Sequence, residues 1–238
     1  MRVLAIDTST LTGSIALVED EIVRAESALY MQGAHSAVVT ESIRALVAQC
    51  DVAFDAIDVF AAGLGPGSFT GVRIGVAIVK GFGLATGRPV HGKNSLDLLA
   101  AQAVGARGPV VAAIDARRNE VFFAVYDAMD DGRRVRSSEP EHREPLAAGQ
   151  RIAELLAEHP GAVVIGDLDT NLRARVREGA GSKELVFAPK VMGTPLARVL
   201  AHEVIAGRTL VDDGTMEPHY VRPTDAKLPA RALVVPAQ

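Results

Sequence analysis

Two aspartates end predicted strands and could carry the chemistry of a nucleotide-binding enzyme. Arg2–Asp7 and Pro109–Asp115 both read as buried strands that finish on a carboxylate. Carboxylates in such positions can hold Mg²⁺ or orient water beside phosphate groups. Each Asp could equally end its strand by capping a turn, because its side chain readily accepts a hydrogen bond from the backbone two residues on. The residues alone leave both interpretations open.

The glycine-rich segment Gly63–Gly81, GLGPGSFTGVRIGVAIVKG, is a second candidate site. Gly65 and Gly67 permit close backbone approach, and Ser68 can cap a long helix whose free N–H groups favour an anion. The sequence therefore predicts Asp7, Gly65, Gly67 and Asp115 as vestigial phosphate-site residues. The segment lacks the Gly-Lys-Ser/Thr of a P-loop and the Rossmann spacing. A turn followed by a mostly buried packing helix is the alternative.

Metal and thiol chemistry find little support in the sequence. No two of the six histidines are three to five residues apart, so no helical metal pair is predicted. The single cysteine, Cys50, excludes an intramolecular disulfide and fits a reducing, cytoplasmic compartment.

The longest stretches without Asp, Glu, Lys or Arg are 14 residues, short of the roughly 20 that a membrane span needs, so no membrane association is expected.

Length and charge restrict the class of protein further. The chain has 238 residues, 48% of them hydrophobic, which is enough for one large domain or two small ones. Its formal net charge is −4, which argues against autonomous nucleic-acid binding.

Strands and helices alternate along the chain, and one hairpin recurs. Ala5–Asp20 aligns without a gap to Ala113–Ala128, 108 positions later, and so pairs Asp7 with Asp115. A duplicated α/β unit implies two similar lobes with a cleft between them; chance similarity of two hairpins is the alternative. We place the lobes at residues 1–106 and 107–238. The second includes a charged, solvated excursion at 130–144 and an extended tail.

Two helices of the first lobe carry more apolar surface than one lobe needs. Ser36–Cys50 has an apolar stripe at helical spacing, and the helix after Ser68 is apolar on most sides. We expect these faces to bind a second chain, although they could instead pack only on their own sheet. The candidate contact residues lie along the stripe edge, and Gly71 and Gly75 would let another helix approach. The edge candidates are His35, Val38, Val39 and Ser42.

The motifs together resemble the TsaB (YeaZ) family over nearly the whole chain. The resemblance is carried by LAIDTST, HSAVVTESI, GPGSFTGVRIGVAIVKG, AAIDARRNEVFFAVYD and MEPHYVRPTDAK. It implies the two-lobed α/β fold of the actin-like, sugar-kinase and Hsp70 (ASKHA) superfamily. It also implies a role in forming threonylcarbamoyladenosine in bacterial tRNAs that read codons starting with A.

In that system the resemblance implies a partner and not a catalyst. TsaB-like chains dimerise with the paralogue TsaD, which transfers the threonylcarbamoyl group, and the ATPase TsaE joins the pair. The chain is expected to form a homodimer in isolation and to meet tRNA only indirectly. No cofactor is expected beyond weak residual binding of ATP or ADP.

The metal site of the paralogue is missing from this chain. TsaD carries a Pro-x-x-x-x-Asn-His-Leu-Glu-Gly-His segment whose histidines hold a metal, and these positions fall on Ser95 and Leu99 here. Neither residue can hold a transition metal as those histidines do. We therefore predict a catalytically silent dimerisation subunit. The rival interpretations are an ATP-dependent kinase or hydrolase using Asp7 and Asp115, and a metal-dependent peptidase.

Overall fold

Two six-stranded sheets and six α-helices make up the described part of the chain. The structure, a computed structural model, describes residues 1–31, 36–189, 193–194, 196–212 and 214–222. The first sheet contains β1 (Arg2–Asp7), β2 (Thr12–Glu19), β3 (Ile22–Tyr30), β4 (Val59–Gly63), β5 (Val90–Lys93) and β12 (Leu210–Val211). The second contains β6 (Val110–Arg117), β7 (Glu120–Ala128), β8 (Arg134–Arg136), β9 (Glu141–Arg143), β10 (Gly161–Asp167) and β11 (Glu184–Phe187). The helices are α1 (Ser36–Gln49), α2 (Phe69–Thr86), α3 (Ser95–Ala101), α4 (Pro145–Leu155), α5 (Thr170–Gly179) and α6 (Ala197–Ile205).

The N-terminal sheet has the order β12-β5-β4-β1-β2-β3. β1 lies near its centre, antiparallel to β2 and parallel to β4. Because both faces of β1 are covered, its apolar residues run without alternation, as is typical of a strand buried on both sides. The predicted strand Arg2–Asp7 is therefore confirmed, and β2 is its partner in the predicted hairpin.

The C-terminal sheet includes part of the charged segment. Its order is β11-β10-β6-β7-β8, and β9 also pairs with β7. Residues 130–144 are mostly exposed, as the predicted solvated excursion requires, but two short strands within them, β8 and β9, add to the free edge of β7. Backbone pairing to that edge outweighs the polar composition. The exposed side chains of Arg136 and Arg143 protect this edge from further pairing.

Three hydrophobic cores lie between the layers of sheets and helices. α1 and α2 pack on the outer face of the N-terminal sheet, and α4 and α5 pack on the outer face of the C-terminal sheet. α3 and α6 lie between the sheets, where Leu96 and Leu200 share a central core with Ala5 and Ile114. This central layer joins the two lobes.

The last described part of the chain returns to the first lobe. β12 pairs with β5, and α6 packs on β1 and β2, although the sequence division assigns both to residues 107–238. The N-cap position of α6 is occupied by Leu196, whose side chain makes no capping hydrogen bond. The first N–H groups of α6 are instead bound by a distant residue: Ser14 Oγ accepts from Leu196 N at 3.1 Å and from Ala197 N at 3.0 Å.

Candidate functional site

The turn after β1 buries its carboxylate completely. Asp7 is 1% exposed, and its Oδ1 accepts hydrogen bonds from the backbone N of Ser9 at 2.9 Å and from Ser9 Oγ at 2.6 Å. Its Oδ2 accepts from Ser95 Oγ at 3.1 Å. Burial raises the pKa of the Asp7 carboxyl above its ordinary value, against the opposing effect of these hydrogen bonds. A carboxyl in this environment is enclosed by its own chain and is not presented to a ligand.

The glycine-rich segment packs directly on that turn. A Cβ added at Gly63 would lie 1.8 Å from Asp7 Oδ2, and one at Gly67 would lie 2.1 Å from the Ser9 carbonyl oxygen. The Ser9 carbonyl also accepts a hydrogen bond from Ser68 N at 2.7 Å. Gly65 is buried and donates its N–H to Ser95 Oγ at 3.1 Å. The space that these glycines create is therefore used for close contacts within the chain itself.

Asp115 does not meet Asp7 across a cleft. Ile114 and Ala116 belong to the central core, so the side chain between them points to the opposite face of β6. There Asp115 accepts a hydrogen bond from Arg117 N at 2.7 Å and forms an ion pair with the Arg117 guanidinium at 3.3 Å. The predicted pairing of the two aspartates is therefore corrected.

The strand registers explain this correction. Ala5 pairs with Ala16 in the first hairpin, whereas Ala112 pairs with Ala124 in the second. β6 is thus equivalent to β1 at an offset of 107, and β7 is equivalent to β2 at the predicted 108. A register shift after Asp115 takes up the extra residue. A one-residue slip reverses every side chain of a strand, which puts Asp115 on the wrong face.

The positions that correspond to the paralogue's metal ligands are enclosed. Ser95 and Leu99 are both fully buried, the first in hydrogen bonds with Asp7 and Gly65 and the second in the central core. Among the residues that the structure describes, no group of three or more His, Cys, Asp or Glu side chains is placed to hold a metal ion.

The predicted contact residues on α1 fall into different environments. Val38 is 49% exposed, but Val39 is fully buried in the outer core, so it is corrected to a packing residue. Ser42 is half-buried and donates its hydroxyl to the Val38 carbonyl at 2.8 Å. His35 lies outside the described residues.

The two helical glycines of α2 also face inward. A Cβ at Gly71 would lie 2.1 Å from the Thr8 carbonyl oxygen, and one at Gly75 would lie 2.5 Å from Thr8 Oγ1. Thr8 Oγ1 donates a hydrogen bond to the Gly71 carbonyl at 2.7 Å. The helical glycines therefore accommodate the β1–β2 turn, and the prediction that they form a partner contact is corrected.

An exposed apolar strip on α2 was missed from the sequence. It consists of Ala77, Gly81 and Leu84, which recur at helical spacing on the solvent side, and Leu84 is 90% exposed. A Cβ at Gly81 would meet no atom within 4 Å. The helix was predicted to be mostly buried because it is apolar on most sides. By length and composition alone it could also cross a membrane, and 33% of it is buried in the fold.

A cleft of about 640 Å³ opens between the start of α2, the β6–β7 turn and the segment 218–222. Ser68 N-caps α2 there, accepting a hydrogen bond from Gly71 N at 3.2 Å. Phe69 and Tyr220 pack with ring centroids 5.7 Å apart at the cleft wall. Gly67 lines this cleft, whereas Asp7 and Asp115 are not among its lining residues.

Comparison with known proteins relates the chain to one group. A family model described as TsaD, tRNA N6-adenosine threonylcarbamoyltransferase, matches residues 30–140. The tRNA threonylcarbamoyladenosine biosynthesis protein TsaB of Bacillus subtilis is 36% identical over 126 residues, which are 53% of this chain and 55% of that protein. The TsaB protein of Escherichia coli is 38% identical over 134 residues, 56% of this chain and 58% of that protein. The chain thus spans little more than half the length of these curated relatives.

The structural similarity extends over more of the chain. The solved structure of YeaZ from Pseudomonas aeruginosa superposes with a TM-score of 0.72 at 26% sequence identity, over 92% of this chain and 99% of that one. The two mixed sheets with their helices form the actin-like ATPase (ASKHA) fold, as the resemblance implied. The chain is thus similar to TsaB (YeaZ) proteins in sequence over about half of its length and in fold over most of it.

Proposed function

We propose that this chain is a non-catalytic dimerisation subunit that binds and activates a TsaD-type paralogue. The pair would form N6-threonylcarbamoyladenosine in tRNAs that read codons starting with A, in the cytoplasm. Two relatives named for tRNA threonylcarbamoyladenosine biosynthesis support the process. The TsaD family model matches the region containing α1 and α2, which supports a paralogue as the partner because paralogous surfaces can pair pseudo-symmetrically.

The single observation that carries this proposal is the uncovered apolar strip on α2. Leu84 is 90% exposed, and Ala77 and Gly81 continue the same strip along the helix. Val38 of α1 adds an exposed apolar side chain on the same outer face of the lobe. Small residues in such a strip let a second helix approach closely. Contiguous exposed apolar surface of this kind is typical of a protein interface.

The enclosed state of Asp7 supports a non-catalytic role. Its carboxyl is held by Ser9 and Ser95 and is 1% exposed, so it cannot position a metal or water for a ligand in the cleft. Asp115 faces away from the central layer. The rival kinase or hydrolase needs these carboxylates at the phosphates. It predicts Mg-ATP hydrolysis that Asp115→Asn abolishes, whereas our proposal predicts that the variant retains tRNA modification.

The outer face of the N-terminal lobe is also the surface through which we propose that the dimers form. We expect the homodimer and the heterodimer to use the same α1–α2 surface, burying on the order of 1,600 Å² in total. Excess TsaD-type partner should therefore dissolve the homodimer. A TsaE-type ATPase would then join the heterodimer, and analytical ultracentrifugation of the three-component mixture would show the order of assembly.

Two matched alanines test the surface. Ala77 on α2 and Ala174 on α5 are both exposed within helices but lie on opposite lobes. We expect Ala77→Arg to abolish co-purification with the TsaD-type paralogue and Ala174→Arg to retain it. Both variants should keep the melting temperature of the parent, because each new side chain extends into solvent. Full paralogue binding by Ala77→Arg would overturn the proposed face.

A further inference from the structure

The cleft beside the start of α2 concentrates positive charge in an acidic chain. Its described lining residues include four arginines and a histidine and no aspartate or glutamate. The net charge of the whole chain is −4, so the local charge of the cleft is opposite to the overall one. These arginines come from three separate parts of the fold: Arg73, Arg117, Arg118 and Arg222.

The four arginines divide into one structural residue and three at the cleft mouth. Arg222 contacts Glu120 and donates to the Ala116 carbonyl at 3.1 Å, which fixes the segment 218–222 against β6 and β7. Arg73 instead lies over the Phe69 ring, 3.7 Å from its centroid, and donates to the Tyr220 hydroxyl at 2.8 Å. Both of those groups are neutral, so neither cancels the charge of Arg73.

Arg117 and Arg118 sit at the tip of the β6–β7 hairpin. Together with Asn119 they have φ angles of 61°, 53° and 59°, three successive non-glycine residues in the left-handed region. L-residues rarely adopt this conformation, and it persists only where the surrounding structure imposes it. Both arginines are exposed and line the cleft. Arg117 shares its charge with Asp115 at 3.3 Å in a half-exposed pair, which water screens strongly.

The chemistry of the cleft fits a phosphodiester chain. Planar guanidinium groups bind phosphate oxygens in a bidentate geometry, and the first turn of α2 adds the positive end of an 18-residue helix. A Mg²⁺-nucleotide is a poorer fit, because Mg²⁺ requires oxygen ligands and no carboxylate lines the cleft. The exposed rings of Phe69 and Tyr220 beside the arginines add the aromatic surface that unpaired bases stack on.

We infer that this cleft binds the phosphodiester backbone of RNA, with Arg73, Arg117 and Arg118 as the phosphate contacts. The inference rests on the proposed function in tRNA modification and adds a direct contact with tRNA. The sequence predicted only indirect contact, because that expectation used the net charge and not its distribution. Both rim arginines of the hairpin are on the C-terminal lobe, away from the α2 strip Ala77, Gly81 and Leu84.

The salt dependence of RNA binding tests this inference. The full chain is titrated with a labelled tRNA transcript at several salt concentrations. We expect Arg117→Gln/Arg118→Gln to weaken binding about tenfold or more at low salt. The slope of log K against log salt should fall by about 1.4 to 1.8, because each lost phosphate contact removes about 0.7 to 0.9. The lysine pair Arg117→Lys/Arg118→Lys should keep most of the slope.

A control with the same change of net charge separates the site from overall charge. Arg107 and Arg177 are exposed on other surfaces and do not line the cleft. Arg107→Gln/Arg177→Gln should leave affinity and slope close to those of the parent. Equal slopes for the two double-glutamine variants, or no measurable tRNA binding at low salt, would overturn the inference.

Three further measurements separate RNA from other anions and from the proposed function. In the first, polyglutamate and single-stranded RNA of equal charge compete with tRNA for the chain, and equal displacement by the two polymers would overturn the inference. In the second, the affinities for ATP and tRNA are compared, and tighter binding of ATP would also overturn it. Co-purification with the TsaD-type paralogue is measured for the same variants. If the Arg117→Gln/Arg118→Gln variant still co-purifies with the paralogue but no longer binds tRNA, both proposals are supported. If the parent chain does not co-purify with the paralogue, the proposed function alone is contradicted.

Discussion

The Asp7 carboxylate accepts a hydrogen bond from the Ser95 hydroxyl at 3.1 Å, which ties the end of β1 to the first residue of α3. Ser95 Oγ accepts from Gly65 N at the same time. A strand, a helix and the glycine-rich segment therefore meet at one buried network. In this chain the network stabilises the lobe and encloses the carboxyl.

This burial predicts a pH-dependent effect of removing the charge. Burial raises the pKa of Asp7, so the folded state holds its proton more tightly than the unfolded state does. The resulting stability is fully present below the ordinary pKa and is lost as the pH rises through the raised value. Asn does not titrate, so Asp7→Asn should gain stability relative to the parent from acidic to neutral pH. Urea unfolding at several pH values measures the difference in unfolding free energy between Asp7→Asn and the parent. A difference that does not change with pH would contradict the raised pKa of Asp7.

Glu203 predicts the opposite pH dependence. Burial acts to raise its pKa, but hydrogen bonds from Arg208 and Lys93 outweigh burial and hold the pKa below its ordinary value. The stability that the ionised Glu203 carboxylate contributes is present above its ordinary pKa and is lost as the pH falls through the lowered pKa. Glu203→Gln should cost about 2 kcal/mol at neutral pH, because it leaves two half-buried cations, Lys93 and Arg208, without their carboxylate.

The same denaturation series measures the Glu203 effect. The difference between Glu203→Gln and the parent should shrink in acid, and a difference that grows in acid would show that the carboxylate is not the stabilising form.

Two glycines of α2 should respond in opposite directions. Gly71→Ala places a Cβ 2.1 Å from the Thr8 carbonyl oxygen and should destabilise the chain by about 2 kcal/mol or more. Gly81→Ala meets no neighbouring atom and should stabilise it by up to about 1 kcal/mol, because Ala has the higher helix propensity. The midpoints of urea unfolding measure both. Equal shifts in the two midpoints would contradict the described packing of the helix.

Local patterns in the sequence predicted much of this fold. The apolar strand at β1 and the stripe of α1 are set by residues within each element, and both are confirmed. Contacts between distant residues were not predictable in this way. Ser14 caps α6 from 182 residues away, and the free edge of β7 recruits two strands from a charged segment.

The candidate site was harder to predict for two physical reasons. One added residue in a turn reversed the face of Asp115, which a gapless repeat cannot show. α2 is apolar on most sides, so its periodicity did not indicate which residues stay exposed, and Leu84 was missed. An exposed side chain on an apolar helix becomes visible only when the sheet beneath it is placed.

The central claim is that the α2 strip serves a catalytic partner, and transfer of the threonylcarbamoyl group to tRNA tests it most directly. The reaction is reconstituted with the TsaD-type and TsaE-type proteins and with the parent chain, Ala77→Arg or Ala174→Arg. We predict that omitting the chain or supplying Ala77→Arg abolishes modification, while Ala174→Arg sustains the rate of the parent. Parental rates with Ala77→Arg, or with the chain left out, would contradict the account.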